Sequence, residues 1–535
     1  MKIFLAQVKP RIGDIEYNFD VIRNCYLKAC ENNVDICLFP EMISVGYTPE
    51  DLLHKPSFLT ELEKHTASLI KNSKAPAILL STVIKEKDKL YNAILAIQNG
   101  KVIGKSYKQC IPNYGVFDEE RYFSSGEPRV IDINGYKIGV PICEDMWFPE
   151  VALKLKDNGA EILLVPNASP YDGEKFNTRF EIIKKRYQEV GLPIIYCNQV
   201  LGQDGIIFEG KSFGYDGSLK FCLSAFREDS IVVDVQGNKI LTTNNIENFS
   251  KEDELYGAMV LGLRDYMNNN RFESVLLGLS GGIDSALVAA IAVDALGKEN
   301  VQAIMMPSKF TGRESLEDAE RVAEMLGISY RVIAITDIVE TIDSGIGGAS
   351  GIAYENLQSR ARGIILMSIS NMTQSLVLTT GNKSENAVGY ATLYGDMCGG
   401  FNPIKDLYKT GVFNIAKFRN SKLPTSIQVM NLNFPVMPER VITKPPSAEL
   451  REDQKDSDSL PEYNILDRIL EAYIEQDLGK EEIIDKGFDK ETVEKVIKLI
   501  KISEYKRRQS APGVKLTTRT LDKERRYPIT NLYKG

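Results

Sequence analysis

Six consecutive residues, Ser280-Gly281-Gly282-Ile283-Asp284-Ser285, carry the densest chemistry in this chain of 535 residues. They follow the apolar run Val275-Leu276-Leu277-Gly278-Leu279 and open into Ala286-Leu287-Val288-Ala289-Ala290-Ile291. That order predicts a buried strand, a tight turn and a helix. The two glycines let backbone N–H groups approach an anion, and the helix start adds partial positive charge. Ser280 and Ser285 bring hydroxyl donors, and Asp284 can hold a magnesium ion bridging phosphates. No lysine follows the glycines, which separates this loop from the G-x-x-x-x-G-K-[ST] cradle. An unliganded glycine turn is the plain alternative.

A second constellation lies in the N-terminal half. Glu41 follows Pro40 at the tip of an apolar run over 36–39. Cys143 follows Gly139-Val140-Pro141-Ile142, and Lys108 stands in Gly104-Lys105-Ser106-Tyr107-Lys108-Gln109. The chain has only two histidines, His54 and His65, so general bases must come mostly from carboxylates and lysines. If strand tips bring the three together, a thiolate can attack an amide carbonyl. The carboxylate would take the thiol proton and return it to departing ammonia, and the ammonium would stabilise the oxyanion. Singly, each has an ordinary alternative: a small buried cysteine, or a solvated strand-end charge.

Positioning these residues requires two domains of roughly 250 residues. Expected boundaries are 1–245, a linker over 246–256, and 257–535. The chain is 43% hydrophobic and 26% charged, as in globular proteins with large cores. Its net charge of −8 argues against a nucleic-acid partner and an anionic membrane. No apolar stretch is long enough to span a bilayer, and Met1-Lys2-Ile3-Phe4-Leu5 enters a strand-like run rather than a signal peptide. Eight cysteines without C-x-x-C spacing suggest neither zinc nor a disulfide framework, and fit a reducing cytoplasm.

Residues 31–40 echo residues 157–166: each reads as a helix end, a turn and a buried strand stopped by proline. Further strands are expected over 3–8, 77–83, 138–142 and 194–200, so that two related α/β halves would form facing sheets. Beyond a polar stretch at 242–250, a helix is expected from about residue 252. Strands over 301–306, 331–335 and 376–380, with a helix over 316–326, give the rhythm of a doubly wound parallel sheet. Such a sheet binds ligands at its strand C-termini. Residues 440–461 read as a long loop, either a lid or a solvated segment, and 491–505 as a helix. The basic tail from Lys506 to Arg526 can hold pyrophosphate groups.

The S-G-G-x-D-S run resembles the pyrophosphatase-type loop of enzymes that split ATP into AMP and pyrophosphate. Phe39-Pro40-Glu41, the segment from Lys108 through Phe117-Asp118-Glu119-Glu120-Arg121, and Cys143-Glu144-Asp145-Met146-Trp147 resemble the nitrilase (carbon–nitrogen hydrolase) superfamily. That resemblance implies an α-β-β-α sandwich with Glu41 as base, Lys108 as oxyanion partner, Cys143 as nucleophile and Glu119 in support. Asn167-Ala168-Ser169-Pro170-Tyr171 and Lys175 match its amidase subgroup, which implies that Tyr114, Ser169 and Lys175 position glutamine.

Essentially the whole chain resembles the glutamine-dependent NAD synthetase family. The likeness is carried by residues 355–363, 378–385, 389–396, 446–451 and 504–509 together with the phosphate loop. It implies ATP contacts at Gly278, Leu279, Ser280, Gly281, Gly282, Ile283, Asp284, Ser285 and Thr380. Deamido-NAD contacts would fall on Asn356, Arg362, Glu385, Tyr390 and Lys506, and Mg2+ would sit on Asp284 and Glu385. Lys383 or Asp453 is a candidate for assisting amidation.

The expected activity is conversion of deamido-NAD, ATP and L-glutamine to NAD, AMP, pyrophosphate and glutamate, with ammonia shielded from water in transit. A homodimer or larger assembly is implied by the family. An amidotransferase for another carboxylate, and a regulatory nucleotide-binding protein with a degenerate amidase half, are the competing readings.

Overall fold

Strand Ile36–Leu38 is apolar throughout because it is buried on both faces, running parallel between Lys2–Gln7 and Ala77–Glu86. It sits near the middle of a seven-stranded sheet ordered Lys239–Ile240, Asp229–Gln236, Lys2–Gln7, Ile36–Leu38, Ala77–Glu86, Lys89–Gln98, Lys101–Tyr107. Its echo, Ile162–Asn167, runs parallel between Tyr136–Gly139 and Ile194–Asn198 in a six-stranded sheet. Ile3, Leu5, Ile36 and Leu38 of the first sheet share one core with Ile138, Ile162, Leu164 and Ile195 of the second. The two sheets therefore pack face to face. Helices Pro149–Asp157 and Lys175–Val190 cover the outer face of the second sheet through Val151, Leu155 and Ile183. Helices Ile15–Glu31 and Pro56–Asn72 lie against the first. The layering is α-β-β-α, as the sequence suggested.

The computed structural model describes residues 1–533. Residues 1–201 and 208–248 form one compact unit; residues 202–207 and those from 249 onward form a second. Of the stretch expected as a linker, residues 251–256 lie in helix Lys251–Asn270, whose start is capped by Ser250 accepting from the Asp253 N–H.

The second unit is built on four parallel strands in the order Ser329–Val332, Val301–Met305, Val275–Gly278, Leu376–Leu378. The chain steps outward through the first three in sequence. It then returns by the 22-residue helix Ile352–Thr373 to place Leu376–Leu378 on the opposite side of Val275–Gly278. This reversal puts the topological switch point just beyond Gly278. Helix Ile283–Leu296 is apolar nearly all round because helices Lys251–Asn270 and Lys409–Ser421 enclose it. The three are tied by a buried ion pair. Arg419 donates from Nε and Nη2 to the two Asp294 oxygens at 2.6 and 3.1 Å, and Tyr256 OH donates to Oδ2 at 2.6 Å.

Two expectations shift. The strand expected over 331–335 occupies Ser329–Val332. The apolar residues after it leave the strand: Ile335 is fully buried at the start of helix Thr336–Gly345. The loop expected over 440–461 begins inside a short helix, Glu439–Thr443, and contains a single turn at Asp456–Asp458.

Candidate functional site

The two echoing strand ends meet. The Glu41 N–H donates to Asn167 O at 3.3 Å, and the Ala168 N–H donates to Glu41 Oε2 at 3.0 Å. Glu41 Oε1 accepts from Lys108 Nζ at 2.8 Å and from Asn92 Nδ2 at 2.6 Å. Lys108 also donates to Glu119 Oε1 and Oε2 at 2.8 and 3.0 Å, and Tyr47 OH donates to Glu119 Oε1 at 2.7 Å. All of these side chains are buried, so the two carboxylates clamp the ammonium in a low-dielectric environment. Burial alone would push the Lys108 ammonium down, but Glu119 and Glu41 reverse this and hold it well above its ordinary value. Lys108 is a fixed cation.

Cys143 begins the turn Cys143–Trp147 in the left-handed region, at φ 46°. A non-glycine residue held there is strained, and such strain collects at functional sites. Burial and the neighbouring Glu41 push its thiol well above the usual range, with Lys108 opposing them. At rest Cys143 is therefore a thiol, and its sulfur could act as a nucleophile only if a base took its proton. Asp145 fixes this turn against the Lys108 segment. One of its oxygens accepts from the Gln109 and Cys110 N–H groups at 3.0 and 2.8 Å, and the other from the Ile142 N–H at 2.9 Å.

Tyr114, Ser169 and Lys175 surround this cluster. Tyr114 OH donates to both Glu144 oxygens at 2.9 and 3.1 Å. The Ser169 N–H donates to Asn198 Oδ1 at 3.0 Å, and Lys175 Nζ stands 4.6 Å from the Trp147 ring centroid. Glu144, next in sequence to Cys143, was not singled out from sequence. Its carboxyl is raised by burial, against Tyr114, Lys108 and Lys175.

The raised carboxyls have a pH signature. Burial pushes Glu119 up to about 7 against the pull of Lys108, and Asp145 up to about 6 against its backbone donors. Each holds a proton in the folded chain that the unfolded chain releases at the same pH. Their stabilising contribution is complete below about pH 4 and is lost as pH rises through about 6 to 7. The melting temperature of the N-terminal unit should fall across that window, and less steeply in Glu119→Gln. Calorimetry at a series of pH values checks this; an identical slope in the variant would refute it.

In the second unit a crevice of about 290 Å³ opens at the switch point. Its walls include the whole 278–285 loop, Thr380, Arg362, Glu385 and Tyr390. Ser280 and Ser285 hydroxyls lie 3.1 Å apart, and the Gly282 N–H donates to Ser280 Oγ at 3.3 Å. Gly281 has φ 78°, and a Cβ there would fall 2.3 Å from Ser315 O, so only glycine fits. Arg360 and Arg362 diverge as their spacing on a helix requires. Arg362 enters the crevice with Nε donating to Met306 O at 3.0 Å, and Arg360 reaches Leu393 O on the surface. Burial lowers the Arg362 guanidinium to about 10.

Asp284 and Glu385 do converge, and between them lies a residue that sequence reasoning missed. Lys409 Nζ donates to Asp284 Oδ2 at 2.5 Å and to Glu385 Oε1 at 3.0 Å. A signal existed: a basic residue opening an amphipathic helix, Lys409–Ser421, opposes the helix dipole and needs an acidic partner. Burial pushes Glu385 up to about 7, with Lys409 opposing and Asp284 reinforcing. The donor set suits Mg2+: two carboxylates with a cation already standing where a metal could bridge them.

Asn356 and Lys506 are not among the crevice walls. Asn356 Oδ1 accepts from Thr392 OH at 2.9 Å, and Lys506 Nζ donates to Gly389 O and Ala391 O at 2.8 Å each. Both are engaged in holding the 389–396 strap. Lys383 is buried against Asp406 and Glu475 at 2.9 and 3.1 Å, a structural tie away from the crevice walls, and Asp453 is exposed. The 444–450 segment does line the crevice, with Ser315 Oγ donating to Glu449 Oε1 at 2.6 Å and Gln358 Nε2 to Leu450 O at 2.8 Å.

Residues 2–244 match the carbon-nitrogen hydrolase family, and residues 255–510 match the NAD synthase family. The glutamine-dependent NAD(+) synthetase of Acinetobacter baylyi is 44% identical over 541 residues, spanning 99% of this chain and 98% of its own. That of Aquifex aeolicus is 41% identical with full coverage of both chains. Among solved structures, the glutamine-dependent NAD+ synthetase of Acinetobacter baumannii in complex with ADP superposes with a TM-score of 0.79. It shares 41% identity and covers 99% of this chain and 98% of its own. With two family matches in tandem and such likeness end to end, the chain belongs to the glutamine-dependent NAD(+) synthetase family.

Proposed function

We propose that the N-terminal unit releases ammonia from glutamine and that the second unit uses it to amidate deamido-NAD at the expense of ATP. The single observation that carries the residue assignments is the buried Glu41–Lys108–Glu119 clamp beside Cys143. Residues 1–245 serve as the glutaminase and 257–535 as the synthetase.

In the first unit Glu41 takes the Cys143 proton as sulfur attacks the side-chain amide, and returns it to the departing ammonia, leaving a glutamyl thioester. Glu41 then takes a proton from the water that attacks the thioester, and returns it to the sulfur as glutamate leaves. Lys108, with one N–H on Glu41 and one shared between the two Glu119 oxygens, has a third N–H for the tetrahedral oxyanion. Glu119 fixes Lys108 and touches no substrate. Glutamine carries an α-ammonium and an α-carboxylate. Glu144 suits the first and Lys175 the second, with Tyr114 and Ser169 completing the pocket.

In the second unit the nicotinate carboxylate attacks the α-phosphorus of ATP, pyrophosphate leaves, and ammonia displaces AMP from the mixed anhydride. The 278–285 loop holds phosphate oxygens through backbone N–H groups at the start of helix Ile283–Leu296. Thr380 and Arg362 face the same crevice, and Tyr390 and Glu385 flank the dinucleotide. Asn356 and Lys506 act by shaping the 389–396 strap against it. Asp284 and Glu385 are the residues to hold Mg2+, which when bound neutralises charge on the phosphates. The 444–450 segment serves as the lid.

Exposed Ile352, Ile364 and Met372 on helix Ile352–Thr373 support self-association through this unit. No helix among the described residues is long and apolar enough to cross a membrane, and eight free thiols support a cytoplasmic setting.

Isotope tracing tests the reading. With glutamine labelled at the side-chain nitrogen, plus ATP and deamido-NAD, the label should appear in the carboxamide of NAD. Unlabelled NAD, or label retained only in free ammonia, would overturn it.

A further inference from the structure

Two carboxylates that face each other usually need a cation, and this chain supplies its own. Lys409 Nζ lies 2.5 Å from Asp284 Oδ2 and 3.0 Å from Glu385 Oε1, and its side chain is only 3% exposed. It is held from several sides. Its backbone N–H donates to Ser384 Oγ at 2.9 Å, and Nζ stands 5.3 Å from the centroid of the Tyr463 ring. Asn382 Nδ2 in turn holds Asp284 Oδ1 at 2.8 Å. The other charged groups near the ammonium are Asp456 and Asp467. Asp456 is bound by Tyr463 OH at 2.8 Å; Asp467 is bound by Ser384 OH and by the N–H and hydroxyl of Thr410.

A magnesium ion touching both carboxylates would sit about 2.0–2.1 Å from their oxygens, in the space the ammonium fills. The two cations exclude each other. Nor is there a third acidic ligand to tip the balance: among the described residues no group of three or more His, Cys, Asp or Glu is arranged to hold a metal. Magnesium sheds water reluctantly and is generally bound through one or two carboxylates together with substrate phosphates. A pair of carboxylates already half-neutralised offers a free aqueous ion little reason to dehydrate. An ion arriving on a polyphosphate differs in two respects. It brings its own oxygen ligands, and it brings anionic oxygens that can accept the displaced ammonium.

We propose that Lys409 keeps the Asp284–Glu385 pair closed to free divalent cations, so that metal enters this site only in company with a polyphosphate. This rests on the reading of Asp284 and Glu385 as metal-holding residues. It adds an order of events: the lysine leaves the carboxylates when the metal–nucleotide complex arrives and returns when that complex departs. The site thereby resets itself without retaining a metal ion between turnovers.

Manganese is a suitable probe because bound and free Mn2+ differ in their electron paramagnetic resonance spectra. The full chain should show no tight Mn2+ site alone and one such site with a non-hydrolysable α,β-methylene analogue of ATP. Lys409→Met should bind Mn2+ without nucleotide, with affinity raised by about tenfold or more. The gain should vanish when Asp284→Asn is added, while Lys409→Arg, which keeps the charge, should still exclude the ion. A wild-type chain that binds one Mn2+ without nucleotide as tightly as it does with the analogue would overturn the proposal, and this arm holds even if a variant folds poorly. The underlying reading fails separately: unchanged Mn2+ binding with the analogue in Asp284→Asn/Glu385→Gln would remove these residues as metal ligands.

Discussion

Cys143→Ala should lose glutamine-dependent NAD formation by a factor of at least about 10³, while formation from added ammonium salts continues near the wild-type rate. The magnitude follows from the proposed role of Cys143 as nucleophile: without its sulfur no thioester forms there, and no rearrangement of Glu41 or Lys108 replaces it. The division between nitrogen donors follows from the fold. Cys143 lies in the turn Cys143–Trp147 of one compact unit, and the nucleotide crevice lies wholly among residues of the other. Alanine keeps a Cβ at φ 46°, so the strained turn and its Asp145 anchor persist. NAD formation with each donor, measured side by side, is the check. Loss of both activities would show that the cysteine does more than liberate nitrogen.

Asp284→Ala should remove synthesis with either donor, again by about 10³ or more, because activation of the carboxylate precedes any use of ammonia. The substitution takes away one of the two carboxylates at the phosphate loop and leaves Lys409 paired with Glu385 alone. Two readouts separate this defect from misfolding. Glutamate release from glutamine reports on the N-terminal unit, and pyrophosphate release should disappear together with NAD formation. Pyrophosphate release that persists while NAD formation stops would move Asp284 from activation to the amidation step.

What could be read from sequence was what is local. The phosphate loop is contiguous, and the strand before it and helix after it follow from an unbroken apolar run. Glu41 and Cys143 stand out because each follows a proline-marked apolar strand, and a strand tip is where side chains enter a crevice. The echo between 31–40 and 157–166 foreshadowed two sheets, and its two strands do occupy matching, doubly parallel positions.

What escaped was what only tertiary contact creates. Asn92 reaches Glu41 across 51 residues, Tyr47 reaches Glu119 across 72, and Lys409 reaches Asp284 across 125. No periodicity links such pairs. Lys383 attracted notice for lying in a recognisable motif, yet its ammonium is spent on Asp406 and Glu475. Asn356 and Lys506 illustrate the same limit. Sequence can place a polar residue near a site, but whether it faces a ligand or a neighbouring carbonyl is decided by the packing of the 389–396 strap.

The bond from the Glu41 N–H to Asn167 O, and the return bond from the Ala168 N–H to the Glu41 carboxylate, join interior strand ends of two different sheets. Neither half of the sandwich alone holds Glu41, Lys108 and Cys143 together. If these residues act as proposed, a nascent chain, or one whose layers have slipped by a single residue, is silent rather than leaky. On the proposed assignment, ammonia release from glutamine is confined to molecules in which both sheets have packed.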